Sequence, residues 1–362
     1  MGKIGVLICD DSALMRKVLR KIIESAPGLY VAGMARDGED AITKARELRP
    51  DVITMDINMP GIDGITALQI IVEEAIAPVI MVSSLTQEGA TATFEAMALG
   101  AFDYVGKPEG TVTKDMRTVE DELISKIKAA SGKDTIKKLR RKKPDIIRKA
   151  SLHQSKQINR REREAVSSDT RDFKAVAIGI STGGPKTIFE VLPFIPADLN
   201  AAIFVVQHMP TGFTSTFAKR IDSSCPLRCV EAEAGMVVEP GSIYIGKAGC
   251  HMTVYKKLTG KIILRTPTKP VHTFLPSVDI MMESVLDVFG SGTVGVLMTG
   301  MGDDGAAGMV KITANGGITI AESEESAIVY GMPREAIERG GARVVAPSWL
   351  IADEIVKAVS GT

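Results

Sequence analysis

Between residues 3 and 108, short apolar runs alternate with helix-period stretches five times over, and no other pattern in the chain narrows the fold so far. Lys3–Cys9, Leu29–Ala35, Asp51–Met55, Val79–Val82 and Tyr104–Val105 read as strands, and Ala13–Ser25, Glu39–Leu48, Ile65–Glu74 and Gln87–Leu99 read as the helices between them. A strand buried on both faces is apolar along its length, and parallel neighbours need a crossover that a helix supplies. Repeated βα units therefore predict an α/β domain, a doubly wound (βα)5 parallel sheet, with a last helix from about Lys114 to Ala130. Aromatic residues make up only 4% of the 362, against 45% apolar, so the core must be packed from Val, Ile, Leu, Ala and Met.

Composition then shifts. Residues 133–165 carry 13 basic and four acidic residues with sparse, unperiodic apolar positions, which reads as a polar linker or a basic docking surface. Buried strands return from Phe173: Ala175–Ile180, Ala201–Gln207, Ser242–Ile245, Val294–Met298 and Gly317–Ala321. Helical stretches such as Lys186–Leu192 and Gly305–Ala314 intervene, and His251–Leu264 resembles a hairpin with the turn Leu258-Thr259-Gly260. This predicts a second doubly wound α/β domain, its sheet mostly parallel. The expected boundaries are residues 1–125, a basic linker 126–172, and residues 173–362.

The 44 basic and 44 acidic residues cancel, so bulk charge gives no reason to expect a nucleic-acid partner. Cys9, Cys225, Cys229 and Cys250 contain no paired C-x-x-C spacing and read as buried thiols of a reduced, cytoplasmic protein. The first strand starts at once with no leader before it, and no apolar run approaches the roughly 20 residues of a membrane span, so no membrane insertion is expected.

Acidic residues mark the ends of the first strands. Asp10 and Asp11 end the first and Asp56 ends the third. In a doubly wound sheet the carboxyl ends of the central strands meet at one crevice, so three carboxylates converge there. Such a cluster needs a counter-ion, and an all-oxygen site suits Mg2+. A carboxylate is also a nucleophile toward phosphorus. Ser83, ending the fourth strand, is placed to bond a phosphoryl oxygen, and Lys107, after the fifth, to supply a fixed positive charge. The Lys107-Pro108 bond is a candidate for the cis form.

Gly179-Ile180-Ser181-Thr182-Gly183-Gly184-Pro185 follows a strand and precedes a helix, and Gly179, Ser181 and Gly183 have the G-x-S-x-G spacing of a nucleophile elbow. The following helix would aim its first N–H groups at developing negative charge. A phosphate-binding turn is the rival reading, but Ser181 stands where the second glycine of G-x-G-x-x-G belongs. A serine nucleophile needs a base. Of His153, His208, His251 and His272, only His208 follows a central strand; His251 and His272 flank irregular segments and read as surface or hydrogen-bonded structural histidines. The orienting acid is sought in Met298-Thr299-Gly300-Met301-Gly302-Asp303-Asp304-Gly305, where spacing alone does not choose between Asp303 and Asp304. The chain order Ser…His…Asp differs from the Ser…Asp…His of α/β-hydrolases.

The ordered set Asp10-Asp11, Asp56, Ser83 and Lys107-Pro108, with Met59-Pro60-Gly61 and Asp63-Gly64, resembles the receiver domain of bacterial response regulators, a flavodoxin-like fold. That resemblance implies that Asp56 is the phospho-acceptor and that Asp10, Asp11, Asp56 and the Asn58 backbone carbonyl hold Mg2+. It also makes Ser83, Tyr104 and Lys107 the switch residues and a chemotaxis histidine kinase the partner. Residues 173–362 resemble the catalytic domain of the chemotaxis protein-glutamate methylesterase (CheB) family, through Ile178–Pro185, Gln207-His208-Met209, Thr299–Gly305 and Val329–Pro333. Ile180 departs mildly from the small residue usual before the serine. The resemblance implies a Ser181–His208–Asp304 triad, Asp304 being selected over Asp303. It adds the Met301 backbone N–H at the oxyanion hole and Thr182 lining the site. The activity implied is hydrolysis of glutamate methyl esters on chemoreceptor cytoplasmic helices, with glutamine deamidation beside it and no cofactor in this half. A DNA-binding output domain and a nicotinamide-dependent oxidoreductase are the rivals; neither a helix-turn-helix nor a dinucleotide fingerprint is present.

Overall fold

The computed structural model describes residues 2–84, 86–107, 114–132, 134–139 and 173–361. The chain divides into two compact units, Met1–Arg141 and Lys142–Thr362. The Lys107-Pro108 bond, His153 and most of the basic linker lie outside the described residues.

In the first unit, β1 (Ile4–Cys9), β2 (Leu29–Ala35), β3 (Val52–Asp56), β4 (Val79–Ser83) and β5 (Asp103–Gly106) form a parallel sheet in the order β2-β1-β3-β4-β5. The alternation is covered by α1 (Ala13–Ser25), α2 (Gly38–Leu48), α3 (Gly64–Glu73), α4 (Gln87–Leu99) and α5 (Lys114–Ala130), with a short α6 (Thr135–Leu139) beyond. The first four helices begin where they do because a side chain accepts from a first-turn N–H: Ser12, Asp37, Asp63 and Thr86 are the caps. Gly100, left-handed at φ 114°, ends α4. Strands β3, β4 and β5 are buried along their whole length, as the continuous apolar runs predict for a sheet covered on both faces.

The second unit is also doubly wound. Strands β6 (Lys174–Ile180), β7 (Ala201–Gln207), β8 (Arg228–Glu231), β9 (Ser242–Ile245), β12 (Thr293–Leu297), β13 (Ile318–Glu322) and β14 (Val344–Ala346) pair in parallel in the order β14-β13-β12-β6-β7-β9-β8. The antiparallel hairpin of β10 (Thr253–Lys256) and β11 (Ile262–Arg265) stands apart, with Thr253 opposite Arg265. The chain starts at the central strand β6, winds to one side, and returns to the other through β12. The crevice at this reversal is where such sheets place ligands. Phe204, Tyr244, Met281, Met282, Leu297, Met309 and Met332 belong to the buried core between sheet and helices.

Sequence reasoning did not name several elements: strands β8 and β14, and helices Phe213–Ser224, Val278–Phe289, Met332–Glu338 and Ser348–Ser360. The expected helix Lys186–Leu192 is instead a single turn, Gly184–Thr187, followed by 3-10 turns at Ile188–Glu190 and Leu192–Phe194. Pro193 cannot donate the i→i−4 bond that would continue it, and Thr187 and Ile188 are β-branched. We number these helices α7 (Gly184–Thr187), α8 (Phe213–Ser224), α9 (Val278–Phe289), α10 (Ala306–Ala314), α11 (Met332–Glu338) and α12 (Ser348–Ser360).

Candidate active site

Three central strands of the second sheet deliver three side chains to one point. Ser181 follows β6, His208 follows β7, and Asp304 lies in the loop after β12. Nδ1 of His208 lies 3.1 Å from Ser181 Oγ, and Nε2 lies 2.8 Å from Asp304 Oδ2. An ionised carboxylate only accepts, so the network assigns the ring proton to Nε2 and leaves Nδ1 to accept from the serine hydroxyl. That is the polarity a base needs to take a proton from a hydroxyl. Ser181 retains 9% exposure, and Asp304 behind it 4%.

Asp304 is held on every side. Oδ1 accepts from Ser277 Oγ at 2.8 Å and from the Asp279 N–H at 3.1 Å, and Oδ2 accepts from the Val278 N–H at 2.7 Å besides His208. Val278 and Asp279 open α9, so the carboxylate sits on the positive end of a helix. Burial pushes its carboxyl up, but the hydrogen bond and charge of His208 and these two N–H groups outweigh burial and hold it down at about 2. Its neighbour Asp303 turns outward to an exposed 2.8 Å ion pair with Arg339.

The serine turn is braced from two strands. Gln207 Nε2 donates to Ser181 O at 3.0 Å and to His208 O at 2.9 Å, and the Ser181 N–H donates to Thr299 O at 3.0 Å. The Thr299 N–H donates to the buried Glu322 at 2.7 Å, and its hydroxyl donates to Thr182 O at 2.9 Å. Gly300 packs directly on Ser181: a Cβ there would meet Ser181 Cβ at 2.8 Å and run into Met332. Gly183 is left-handed, φ 80°, in the turn itself. Thr182 is buried and Met301 half-buried, and neither backbone N–H donates to an acceptor among the described residues. The helix after the serine does not present its first N–H groups as expected: those of Gly184, Lys186 and Thr187 are used on the carbonyls of Ser181 and Gly183.

Sequence reasoning missed four side chains here: Ser277, Gln207 as a brace, Glu322 and Phe274, whose ring stacks on His208 at 4.0 Å with 6° between planes. An S-x-D pattern opening an apolar run was the available signal for Ser277 as a helix cap; nothing local marks the other three. Of the remaining histidines, His251 is fully buried with its Nδ1 accepting from the Ser277 N–H at 3.2 Å, and His272 Nδ1 lies within 3.3 Å of both backbone polar atoms of Phe274.

The first unit gathers its own polar centre at the strand ends. Asp10, Asp11 and Asp56 each offer a carboxylate oxygen within 4.8 Å of the others. Lys107 Nζ lies 2.8 Å from Asp56 and 3.3 Å from Asp10. Burial and the Asp56 charge push the Asp10 carboxyl up against the pull of Lys107. Burial lowers the Lys107 ammonium, but its two carboxylates raise it further, so it stays charged. The donor set is all oxygen and suits a hard cation such as Mg2+. Asn58 is exposed two residues beyond Asp56. The Ser83 hydroxyl donates at 3.3 Å to the Ser84 and Gly89 carbonyls. Tyr104 is buried, its ring edge-on to Phe94 at 6.4 Å and 5.2 Å below the Lys126 ammonium. Lys126 pairs with Asp103 at 3.3 Å and Glu122 at 2.7 Å, so α5 is tied to this ring.

Known proteins share both halves. The profile of the CheB methylesterase family matches residues 176–355, and that of the response regulator receiver domain matches residues 6–114. A protein-glutamate methylesterase/protein-glutamine glutaminase of Syntrophomonas wolfei is 56% identical, covering 99% of both chains. One of Pyrococcus horikoshii is 45% identical over 99% of this chain and 94% of its own. The crystal structure of the Thermotoga maritima CheB methylesterase catalytic domain superposes with a TM-score of 0.50 at 37% identity, covering 51% of this chain and 98% of that one. Among the described residues no helix is long and apolar enough to cross a membrane.

Proposed function

The chain belongs to the CheB methylesterase family, with a receiver domain in front, and from that premise we propose that Ser181, His208 and Asp304 are the machinery of its esterase. The enzyme is a carboxylic ester hydrolase, a protein-glutamate methylesterase with protein-glutamine glutaminase activity, working in chemotaxis and two-component signalling. We take residues 1–125 as the receiver, 173–362 as the catalytic domain and 126–172 as the segment joining them, in a cytoplasmic protein acting on chemoreceptor helices.

The observation that carries this reading is the continuous hydrogen-bond chain from Ser181 Oγ through both nitrogens of His208 to Asp304. Ser181 Oγ attacks the ester carbonyl carbon as His208 Nδ1 takes its proton. The negative charge that develops on the carbonyl oxygen is met by the N–H groups of Thr182 and Met301. Collapse of the tetrahedral adduct breaks the bond to methoxide, which leaves as methanol with the proton from Nδ1. Water then repeats the attack on the acyl-serine, and the proton returns to Ser181 as glutamate departs. With a glutamine side chain the same steps release ammonia in place of methanol. Throughout, Asp304 balances the charge of the protonated ring. No cofactor takes part in this half of the reading.

In the receiver, Asp56 is the phospho-acceptor for a histidine kinase of the chemotaxis system. Asp10, Asp11, Asp56 and the Asn58 carbonyl would hold Mg2+, which when bound neutralises phosphoryl oxygens. Lys107 pairs with Asp56 and supplies charge on the other side. Ser83 turns its hydroxyl from the Gly89 carbonyl to the phosphoryl group, and Tyr104 is the aromatic whose packing responds. Phosphorylation of Asp56 raises the esterase activity.

The experiment is methanol release from methylated receptor membranes by the Ser181→Ala chain. Loss of a triad nucleophile costs on the order of 10⁶ in kcat. A folded Ser181→Ala chain that keeps more than about one part in 10³ of the rate overturns Ser181 as nucleophile.

A further inference from the structure

His208 is fixed at its two nitrogens, one toward Ser181 and one toward Asp304. Bonds at those two points fix the ring along the line joining them. They resist rocking of the ring plane about that line only weakly, because hydrogen-bond strength varies slowly with angle near its optimum. Rocking would swing the Nδ1 lone pair out of the path to the serine hydroxyl. The face of Phe274 lies against the imidazole with 4.0 Å between centroids and 6° between planes, a contact that opposes this motion.

Phe274 is itself anchored. The Gly249 N–H donates to Leu275 O at 3.0 Å, and His272 Nδ1 stands 3.2 Å from the Phe274 nitrogen. Three residues on, Ser277 Oγ donates to Asp304 Oδ1 at 2.8 Å while its N–H donates to His251 Nδ1. The other nitrogen of His251 reaches the Pro270 carbonyl at 2.9 Å, and its backbone N–H reaches that of Pro267 at 2.7 Å. One short stretch, Phe274-Leu275-Pro276-Ser277, therefore touches both the base and its acid, and His251 ties its last residue to the Pro270 carbonyl upstream of it.

We propose that Phe274 is a positioning residue of the esterase, holding the His208 ring in the plane from which Nδ1 reaches Ser181, with Ser277 of the same segment holding Asp304. The proposal rests on the reading of Ser181 and His208 as nucleophile and base. A parallel aromatic face contributes to turnover through the imidazole without touching the ester, so its loss falls on kcat and spares KM.

The test compares the full-length chain with F274L and F274Y. Two readouts are taken: methanol release from methylated receptor membranes, and proton NMR of the histidine rings, assigned by replacing each of the four histidines in turn. A proton held over an aromatic face is shielded, so the His208 ring signals of the parent chain lie upfield. F274L moves them downfield, lowers kcat about tenfold and changes KM less than about twofold, the size expected for loss of one stacked pair. F274Y keeps the upfield signals and stays within about threefold of the parent kcat, since a phenol stacks as a phenyl does. If F274L does not fold, F274Y remains decisive, because its signals and its rate must both persist. Unshifted His208 signals in a folded F274L, an unchanged kcat, a loss confined to KM, or a F274Y as slow as F274L each overturn the proposal. A parent chain whose activity survives Ser181→Ala overturns the underlying reading instead; the NMR readout answers independently of it.

Discussion

The carboxylate of Asp304 meets Nε2 of His208 at 2.8 Å, while that of Asp303, the preceding residue, meets the guanidinium of Arg339 at the surface. Two adjacent and chemically identical side chains thus have separate partners, and substitution tells them apart. Asp304→Asn turns an amide toward donors that cannot turn away, the N–H groups of Val278 and Asp279. We expect kcat to fall by roughly 10⁴, as for other triad acids. Asp303→Asn removes an exposed ion pair, worth about 0–1 kcal/mol at most, and leaves methanol release within about twofold. Equal losses in the two variants would contradict the assignment.

Ser277 serves the helix and the acid together: its oxygen accepts from the Ile280 N–H and its proton goes to Asp304. Ser277→Ala is expected to cost about 1 kcal/mol of stability through the lost cap. It should also lower kcat on the order of tenfold, through a lost hydrogen bond to a charged group. Thermal unfolding and methanol release on the same preparation check both. A stability loss without a change in turnover would leave Ser277 as a cap alone.

The folded-state carboxyl of Asp304 is depressed from 3.8 to about 2. A depressed acid contributes stability that is fully present above its unfolded value and lost as pH falls toward its folded one. The stability gap between the parent chain and Asp304→Asn should therefore be constant above about pH 5 and narrow between about pH 4 and pH 2. Denaturant unfolding of both chains at pH 6 and at about pH 2.5 measures it. A gap that does not narrow shows that the Asn change acts through packing and not through charge.

Acetyl phosphate with Mg2+ should add one phosphoryl group to the parent chain and none to Asp56→Asn, and chelation of Mg2+ should prevent it. If the receiver also restrains the esterase, a fragment from Phe173 onward turns over faster than the unphosphorylated whole. Reversing a 99:1 population needs about 5.5 kcal/mol of differential stabilisation. Labelling that persists in Asp56→Asn removes the acceptor assignment; a folded fragment no faster than the whole removes the restraint.

Both doubly wound sheets were legible because apolar runs and intervening helical periods are local signals, and the strand ends followed from them. Ser181, His208 and the Asp303-Asp304 pair stood out for the same reason: each lies just past a strand in a glycine-rich or polar turn. The choice between the two aspartates needed more than spacing, because successive residues in a turn point in unrelated directions. Phe274 was invisible, since its contact with His208 spans 66 residues without any periodicity to announce it. The edge strands escaped for different reasons: Arg228–Glu231 is short and charged at both ends, and Val344–Ala346, though apolar, is only three residues long. His251, read as surface or satisfied, is of the second kind, with both ring nitrogens bonded to backbone.

The orientation of the His208 ring decides where a reagent would mark it. In the trypsin-like arrangement the nitrogen beside the serine is Nε2. Here it is Nδ1, on the side of the ring nearest the chain. An alkylating electrophile delivered to the acyl site by a glutamate-like group would meet that nitrogen, since the other is occupied by Asp304. The adduct would be the π-substituted histidine, distinguishable after hydrolysis from the τ isomer that trypsin-like enzymes give. The regiochemistry of inactivation is thus a fingerprint of this enzyme's geometry, readable from a single modified amino acid.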